Sequence, residues 1–591
     1  MSRHAAAIAP RRDPRPVATP ALAAHAMALV FAVLLASAPL RAPPEAAVEP
    51  PPVFGDVVDV SVVNVEAVVT RDGEPVHDLR PEHFTLLVDG RTVPIEFFSE
   101  IRAGRAVADP VSGTGVSVSP FDQRFAAGES MPRRYLVFID EYFALPRDRD
   151  RVLDGLEADL EQLRAEDRMA IVAWDGRQVE LLSGWTASRS TLRAALDVAR
   201  ARPAYGLQRR SEARQVESLL RYSQRTTTGR SFSSIGFNGS RGIGRNTIGT
   251  RGIEAQGELR SKLIRRSAAA SATLRGFGRP DGRRVLLFLA GGLPEAALSA
   301  LSAVRDVELR GEPPGPWDSE ELVEALVTSA NRLGWTIYPV ALDETRASEL
   351  GGAAIGDPDL QDFATGRARA RLDLVRDGLR EIAAATGAVP VFGGARRHVL
   401  DMAADDTRSY YSLGFTPSWR RDDSLHELEI AVAAPDGRRV DVRTRAGFAD
   451  LSSSTRVTMQ VESAHLFGAP LVGGGSLRLE PGTPEPQGRR RMVLPVRLFV
   501  PLDQITKLPA GPNGAWASRL ELRVVGTDER GDAADVPVIT LDLRGERAPA
   551  PGEIGTLETR LELRRRGHRL LLALYDPPSA RLLGARIEIE P

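Results

Sequence analysis

The chain of 591 residues contains no cysteine. Disulfides, iron–sulfur ligation, thiolate zinc sites and thiol catalysis are therefore excluded. Lysine is nearly absent. Lys262 and Lys507 stand among 77 basic residues, and the others are arginine. That bias fits a GC-rich genome better than a phosphate-binding design. Aromatic residues make up only 6%. The net charge is −1, so no global field gathers nucleic acid or an anionic membrane. Histidines number eight, and none stands in a His-x-x-x-His or His-Glu-x-x-His spacing. No Gly-x-Ser-x-Gly elbow marks a strand–helix junction. The glycine run 239–244 lies in a low-complexity stretch rather than after a strand, which argues against a phosphate loop.

The length is too great for one core, and three or four domains are expected. Arg3, Arg11, Arg12 and Arg15 precede an apolar run over 21–38 that is broken only by His25 and Ser37. With the small triplet Ala36-Ser37-Ala38, this reads as an export signal. Pro39 would follow the cut and hinder it, so an uncleaved N-terminal membrane anchor is the alternative. Either way, the chain beyond about residue 45 is expected outside the cytoplasm: periplasmic, secreted or anchored facing outward. Residues 43–55 read as a Pro-rich linker.

Beyond the linker, 57–69 is Val-rich and 76–79, 84–88 and 93–98 read as short strands, with Asp89-Gly90 as a hairpin turn. Residues 103–132 read as linker. From Arg133 the pattern changes. An apolar run ends at Asp140, an amphipathic helix covers 149–163, and apolar runs at 168–174 and 179–182 flank the Asp175-Gly176 turn. A helix over 190–198 is capped by Thr186 or Ser188. Residues 258–274 read as a helix, 285–289 as a strand, 320–333 as a helix, 336–342 as a strand ending at Asp343, 372–385 as a helix and 389–392 as a last strand. Strands apolar on both faces, alternating with helices, predict a parallel sheet covered on both sides. Within this unit, 226–252 has no apolar period and reads as a disordered insertion. Residues 452–591 are β-patterned, including 456–461, and predict one or two β-sandwiches.

The opening strand, helix, strand, tight turn and strand resemble the start of a von Willebrand factor A domain. Four further motifs resemble the bacterial VWFA-related (acidobacterial) proteins. They are Val62-Val63-Asn64-Val65 with Gly73-Glu74-Pro75-Val76, then Phe84 with Asp89-Gly90, then Tyr410-Tyr411-Ser412-Leu413-Gly414-Phe415-Thr416-Pro417, then Arg445-Ala446-Gly447-Phe448. His83 stands where that family usually has Asp. Together the resemblance covers roughly 56–448. It implies a multi-domain fold: a doubly wound α/β, Rossmann-like unit of the von Willebrand factor A type, flanked by β-sandwich modules. The expected division is 1–42 signal or anchor, 43–55 linker, 56–102 β module, 103–132 linker, 133–408 α/β unit with an insertion at about 205–255, 409–448 hairpin and 452–591 C-terminal sandwich region. The segments 56–100 and 409–448 are expected to pair into one sandwich around the inserted unit.

The resemblance also implies a Mg²⁺ site of the Asp-x-Ser-x-Ser type, completed by a Thr and a second Asp. Asp140 matches the first ligand. Tyr142 and Ala144 replace the two serines, Gly291 stands at the second Asp, and no Thr occupies the neighbourhood of Tyr205 or Leu207. Mg²⁺ wants near-octahedral oxygen coordination, and a neighbour of Asp140 on a strand, Glu141, points to the opposite face. No metal, cofactor or catalytic residue is therefore expected. The expected function is an exported protein-binding or adhesion-type protein with a degenerate metal site and no nucleic-acid partner. Its partner face is drawn from Asp140, Glu141, Gly291, Gly292 and Asp343. A structural or assembly component of the cell envelope is the first alternative, and an enzyme without a recognisable motif the second.

Overall fold

The computed structural model describes residues 62–107, 128–209, 211–212, 261–278, 280–291, 319–342, 376–417, 422–468, 471, 475–510, 514–529, 531, 533–534 and 536–590. The signal, the Pro-rich linker and the insertion 226–252 lie outside the described residues.

The fold is multi-domain and sheet-rich, with several antiparallel sheets. One five-stranded sheet carries the α/β unit. Its order is Trp335–Ala341, Arg283–Ala290, Arg133–Asp140, Arg168–Trp174 and Val179–Thr186. The first four are parallel and the last is an antiparallel edge. The chain starts at the central strand, runs outward to one edge, then returns to build the other side. The strand order thus reverses between Arg133–Asp140 and Arg283–Ala290, and that switch point places a crevice at their carboxyl ends.

Side-chain alternation sorts these strands into two buried layers. Tyr135, Val137 and Ile139 join helices Pro146–Asp159, Arg189–Ala201 and Val399–Asp406 on one face. Leu136 and Phe138 join the helical residues 261–277, helix Ser319–Leu333 and the helical residues 376–385 on the other. Ser188 caps Arg189–Ala201 by accepting the Thr191 N–H, while Thr186 accepts from the Ser188 N–H at 3.0 Å, one step before the helix. The last strand expected over 389–392 is reduced to a parallel bridge between Val340 and Val391.

The two segments flanking this unit share their sheets. Val63–Arg71 pairs antiparallel with Tyr410–Phe415, which pairs in turn with Phe97–Arg102. In the facing sheet, Leu425–Val432 pairs with Phe84–Val88. Val65, Phe84, Leu86, Phe98, Tyr411, Leu413 and Ile430 fill the space between. The linker expected from 103 begins later, because Arg105–Ala106 still hairpins onto Phe97–Arg102. The adjacent tyrosines serve different layers. Tyr411 reaches into the sandwich, where its hydroxyl donates to the Val76 carbonyl at 2.9 Å and accepts from the Leu79 N–H at 3.1 Å. Tyr410 faces the other way, under Arg283.

The C-terminal region begins with a correction. Residues 456–461 are part of helix Ser453–Leu466, not a strand. Val457, Val461 and Ala464 share one helical face and pack on Leu571, Ala573, Tyr575 and Leu582. That spacing is helical as well as partly alternating, and the Ser452 hydroxyl accepts the Thr455 N–H to start the first turn. Met459 points instead into the α/β core. Two sheets follow, built on the antiparallel pairs Trp516–Asp528 with His568–Asp576 and Arg491–Pro501 with Ile554–Arg564. They enclose one core that includes Leu494, Leu498, Leu520, Leu522, Leu561 and Leu572. Among the described residues, no helix is long and apolar enough to cross a membrane.

Candidate functional site

The crevice at the carboxyl ends of Arg133–Asp140 and Arg283–Ala290 is closed by side chains. Asp140 is fully buried. Its Oδ1 accepts the Phe143 N–H at 3.0 Å, and its Oδ2 accepts the Gly291 N–H at 3.2 Å. The third partner is Arg266, from the helical residues 261–277. Its Nη1 lies 3.4 Å from Asp140 Oδ2 and donates to the Gly291 carbonyl at 2.8 Å. Phe143 and Phe288 pack beside the guanidinium. A fixed organic cation thus neutralises the carboxylate that ends the first strand. Burial raises the Asp140 pKa, while Arg266 and the two backbone N–H groups oppose the rise.

Glu141 is also buried and turns to the other side, as strand alternation requires. Arg202, just past helix Arg189–Ala201, donates from Nε to Glu141 Oε1 at 2.7 Å and from Nη1 to Glu180 Oε2 at 2.5 Å. Glu141 Oε2 has no hydrogen-bond partner. Burial raises the Glu141 pKa against the pull of Arg202. Two carboxylates at one strand end are therefore each matched to an arginine, on opposite faces of the sheet.

The loop that follows them is packed tightly. Tyr142 stacks edge-on against Phe143 at 4.8 Å and lies between the Arg209 and Lys262 cations, 4.5 and 4.9 Å from its ring centre. The Tyr205 N–H donates to the Glu141 carbonyl, and the Gly206 N–H to the Ala144 carbonyl. A Cβ on Gly291 would collide with the backbone of Phe143 and Ala144. An aspartate at 291 has no room without moving that loop.

This geometry corrects the expected partner face. Asp140, Glu141 and Gly291 are interior residues held by Arg266, Arg202 and the 141–145 backbone, so they offer a partner no surface. Gly292 and Asp343 lie outside the described residues. The nearest exposed apolar side chain on this segment is Leu207, 60% exposed beside Gly206. Among the described residues, no group of three or more His, Asp or Glu side chains could hold a metal ion.

Arg266 and Arg202 were not singled out by the sequence. Arg266 left a signal nonetheless. Leu263, Arg266, Ser267, Ala270 and Leu274 share the helical spacing of one face, and all are buried. A charge on an apolar face demands a partner.

No family model matches the chain, and no curated protein matches it. Among solved structures, a β-glucuronidase of Bacteroides uniformis is similar at a TM-score of 0.14 and 12% identity, covering 33% of this chain and 20% of that one. Bacteroides uniformis β-glucuronidase 2, covalently bound to cyclophellitol-6-carboxylate aziridine, is similar at a TM-score of 0.13 and 12% identity, covering 31% of this chain and 19% of that one. This chain therefore matches about a fifth of those enzymes' length, and likenesses this slight carry no argument about fold or activity.

Proposed function

We propose that the chain is an exported, non-enzymatic binding protein whose α/β unit is of the von Willebrand factor A type and engages a protein partner without a divalent ion. The family reading draws support from the strand order, with an antiparallel edge strand next to Arg168–Trp174 and the switch point beside Asp140. The observation that carries the metal-free reading is Arg266. Its guanidinium sits where Mg²⁺ would have to meet Asp140. A hard cation needs several further oxygens, and Tyr142, Ala144 and Gly291 supply no side-chain oxygen to Asp140. Partner contact then falls on exposed residues around this closed crevice, with Leu207 the apolar candidate.

The test is capture of a partner from envelope extract by the full chain, with and without chelator. Capture unaffected by chelator and reduced by Leu207→Asp supports the reading, as does calorimetry showing no Mg²⁺ or Mn²⁺ site. Loss of capture on chelation, together with loss in Asp140→Ala, overturns it.

A further inference from the structure

At the other end of the sheet, arginines open three neighbouring strands. Arg133 stands opposite Arg283, and Arg134 lies between Arg284 and Arg168. These strand starts face the N-terminal sandwich across a cavity of 360 Å³, lined by Arg133, Arg164, Arg283, Arg408, Asp401 and Tyr410 among others. The volume is at the lower end of small-molecule pockets.

The lining arginines are not equivalent. Arg133 is fully engaged: Nη2 donates to Asp167 at 2.7 Å, Nε to the same carboxylate, and Nη1 to the Ala404 carbonyl at 3.1 Å. Arg164 binds Asp167 and the Met131 carbonyl. Arg283 is different. It is 2% exposed, and its Nε and Nη1 have no hydrogen-bond partner. Its guanidinium lies over the Tyr410 ring at 4.4 Å and also interacts with the Tyr410 hydroxyl, which supports the charge while Nε and Nη1 stay without a partner. Leaving a buried donor unmade costs about 1–3 kcal/mol, and more where the group is charged. Glu66 and Asp406 favour its charge through their fields, yet neither accepts a hydrogen bond from it. Arg408, 56% exposed and paired with Asp405, adds a second cation at the same cavity. Asp167 matches Arg133 and Arg164, and Asp405 matches Arg408, so Arg283 is the buried lining cation with unmade donors.

We propose that this cavity binds a small oxyanion, bearing carboxylate or phosphoryl oxygens, with Arg283 as its principal donor and Arg408 as its second. The planar guanidinium fork matches both oxyanion types. The site is independent of the crevice at Asp140. Arg133 and Asp140 are the two ends of one strand of eight residues, a span of roughly 23 Å at ~3.3 Å per residue.

The experiment is calorimetric titration of the full chain with inorganic phosphate and, separately, with citrate, at constant ionic strength set with sodium chloride. Saturable binding of either anion is expected; phosphate alone points to a phosphoryl ligand and citrate alone to a carboxylate. Arg283→Met should weaken binding by about tenfold or more, the loss of one charge-assisted donor pair. Arg408→Gln alters an exposed residue, so the fold should persist, and it should weaken binding severalfold even if Arg283→Met does not fold. Exposed Arg519→Gln, on the C-terminal sandwich, should leave it unchanged. No saturable heat with either anion overturns the proposal, and so does binding that Arg408→Gln and any folded Arg283→Met leave intact.

Discussion

Replacing Arg266 by Met would leave Asp140 in the interior with two backbone N–H groups and no cation. Removing one partner of a buried ion pair typically costs about 3–5 kcal/mol, and urea denaturation at pH 7 should show a loss of that order. Acid should relieve it. Burial already raises the Asp140 pKa, and loss of Arg266 raises it further. A carboxyl whose folded pKa lies above its unfolded value contributes most below the unfolded value, and the contribution fades as pH rises through the folded one. The deficit of Arg266→Met should therefore shrink between pH 7 and pH 4.5. A deficit equal at both pH values would mean that Asp140 is not the group Arg266 neutralises. Adding Asp140→Asn to Arg266→Met should recover part of the loss at pH 7, since the uncompensated charge goes with it. At this scale the sequence was half legible. Asp140 stands out at the end of an apolar run. Its partner does not, because the two are 126 residues apart and only the folded sheet brings that helix over that strand. The same gap explains why Asp140 and Glu141 read as a surface: strand ends usually reach solvent, and only tertiary contacts reveal that these two are covered.

Among the elements, the strands of the α/β unit were the most legible, because apolar runs of five or six residues opened by arginine, as in Arg133–Asp140, Arg168–Trp174 and Arg283–Ala290, leave little choice. Helix Ser453–Leu466 was the least. Val457, Met459 and Val461 alternate like a strand, while Val457, Val461 and Ala464 follow a helix, and the neighbouring sheet decided between them. The cap gives a handle on this element. Ser452 accepts the Thr455 N–H and donates to Asp423 at 2.7 Å. Ser452→Ala should cost about 1 kcal/mol, read as a lower urea midpoint. The far end of the helix carries a pH dependence. Burial, with Arg569 and Arg586 adding to it, pushes the His465 pKa down to about 4. An unfolded histidine takes up its proton near pH 6.5, so the unfolded state gains protons first as pH falls. Stability is full above about pH 6.5 and declines toward pH 4. The decline is at most about 3 kcal/mol, at 1.36 kcal/mol per pKa unit. His465→Gln should flatten the slope between pH 6.5 and pH 4.5. An unchanged slope would place the titrating group elsewhere.

At the scale of the whole molecule, the α/β unit is inserted between the two halves of one sandwich. Alternation in 63–71 and 410–415 showed that each is a strand, but no local feature names the partner of a strand. Only the resemblance, with matched motifs on both sides of the unit, suggested that the two belong together. The pairing closes a very long loop, and its entropic cost grows only slowly with length. Buried side chains such as Val65, Phe98 and Leu413 offset that cost. The absence of cysteine makes the pairing testable with a single bond. Val65 and Leu413 are directly opposed in antiparallel register, and both are fully buried. Opposed residues in such a ladder have Cα atoms about 4.5–5.5 Å apart, inside the roughly 4.4–6.8 Å that a disulfide requires. The double variant Val65→Cys with Leu413→Cys has no other thiol to compete. Mild oxidation should give one intramolecular disulfide, seen as a mobility shift on a non-reducing gel that reductant reverses. Each single variant should show no such shift. Val65→Cys combined with Val496→Cys, on the separate C-terminal sandwich, should also stay reduced as a monomer. If the first pair fails to close while its thiols react normally in denaturant, the two flanks do not share a sheet, and the α/β unit is not an insertion.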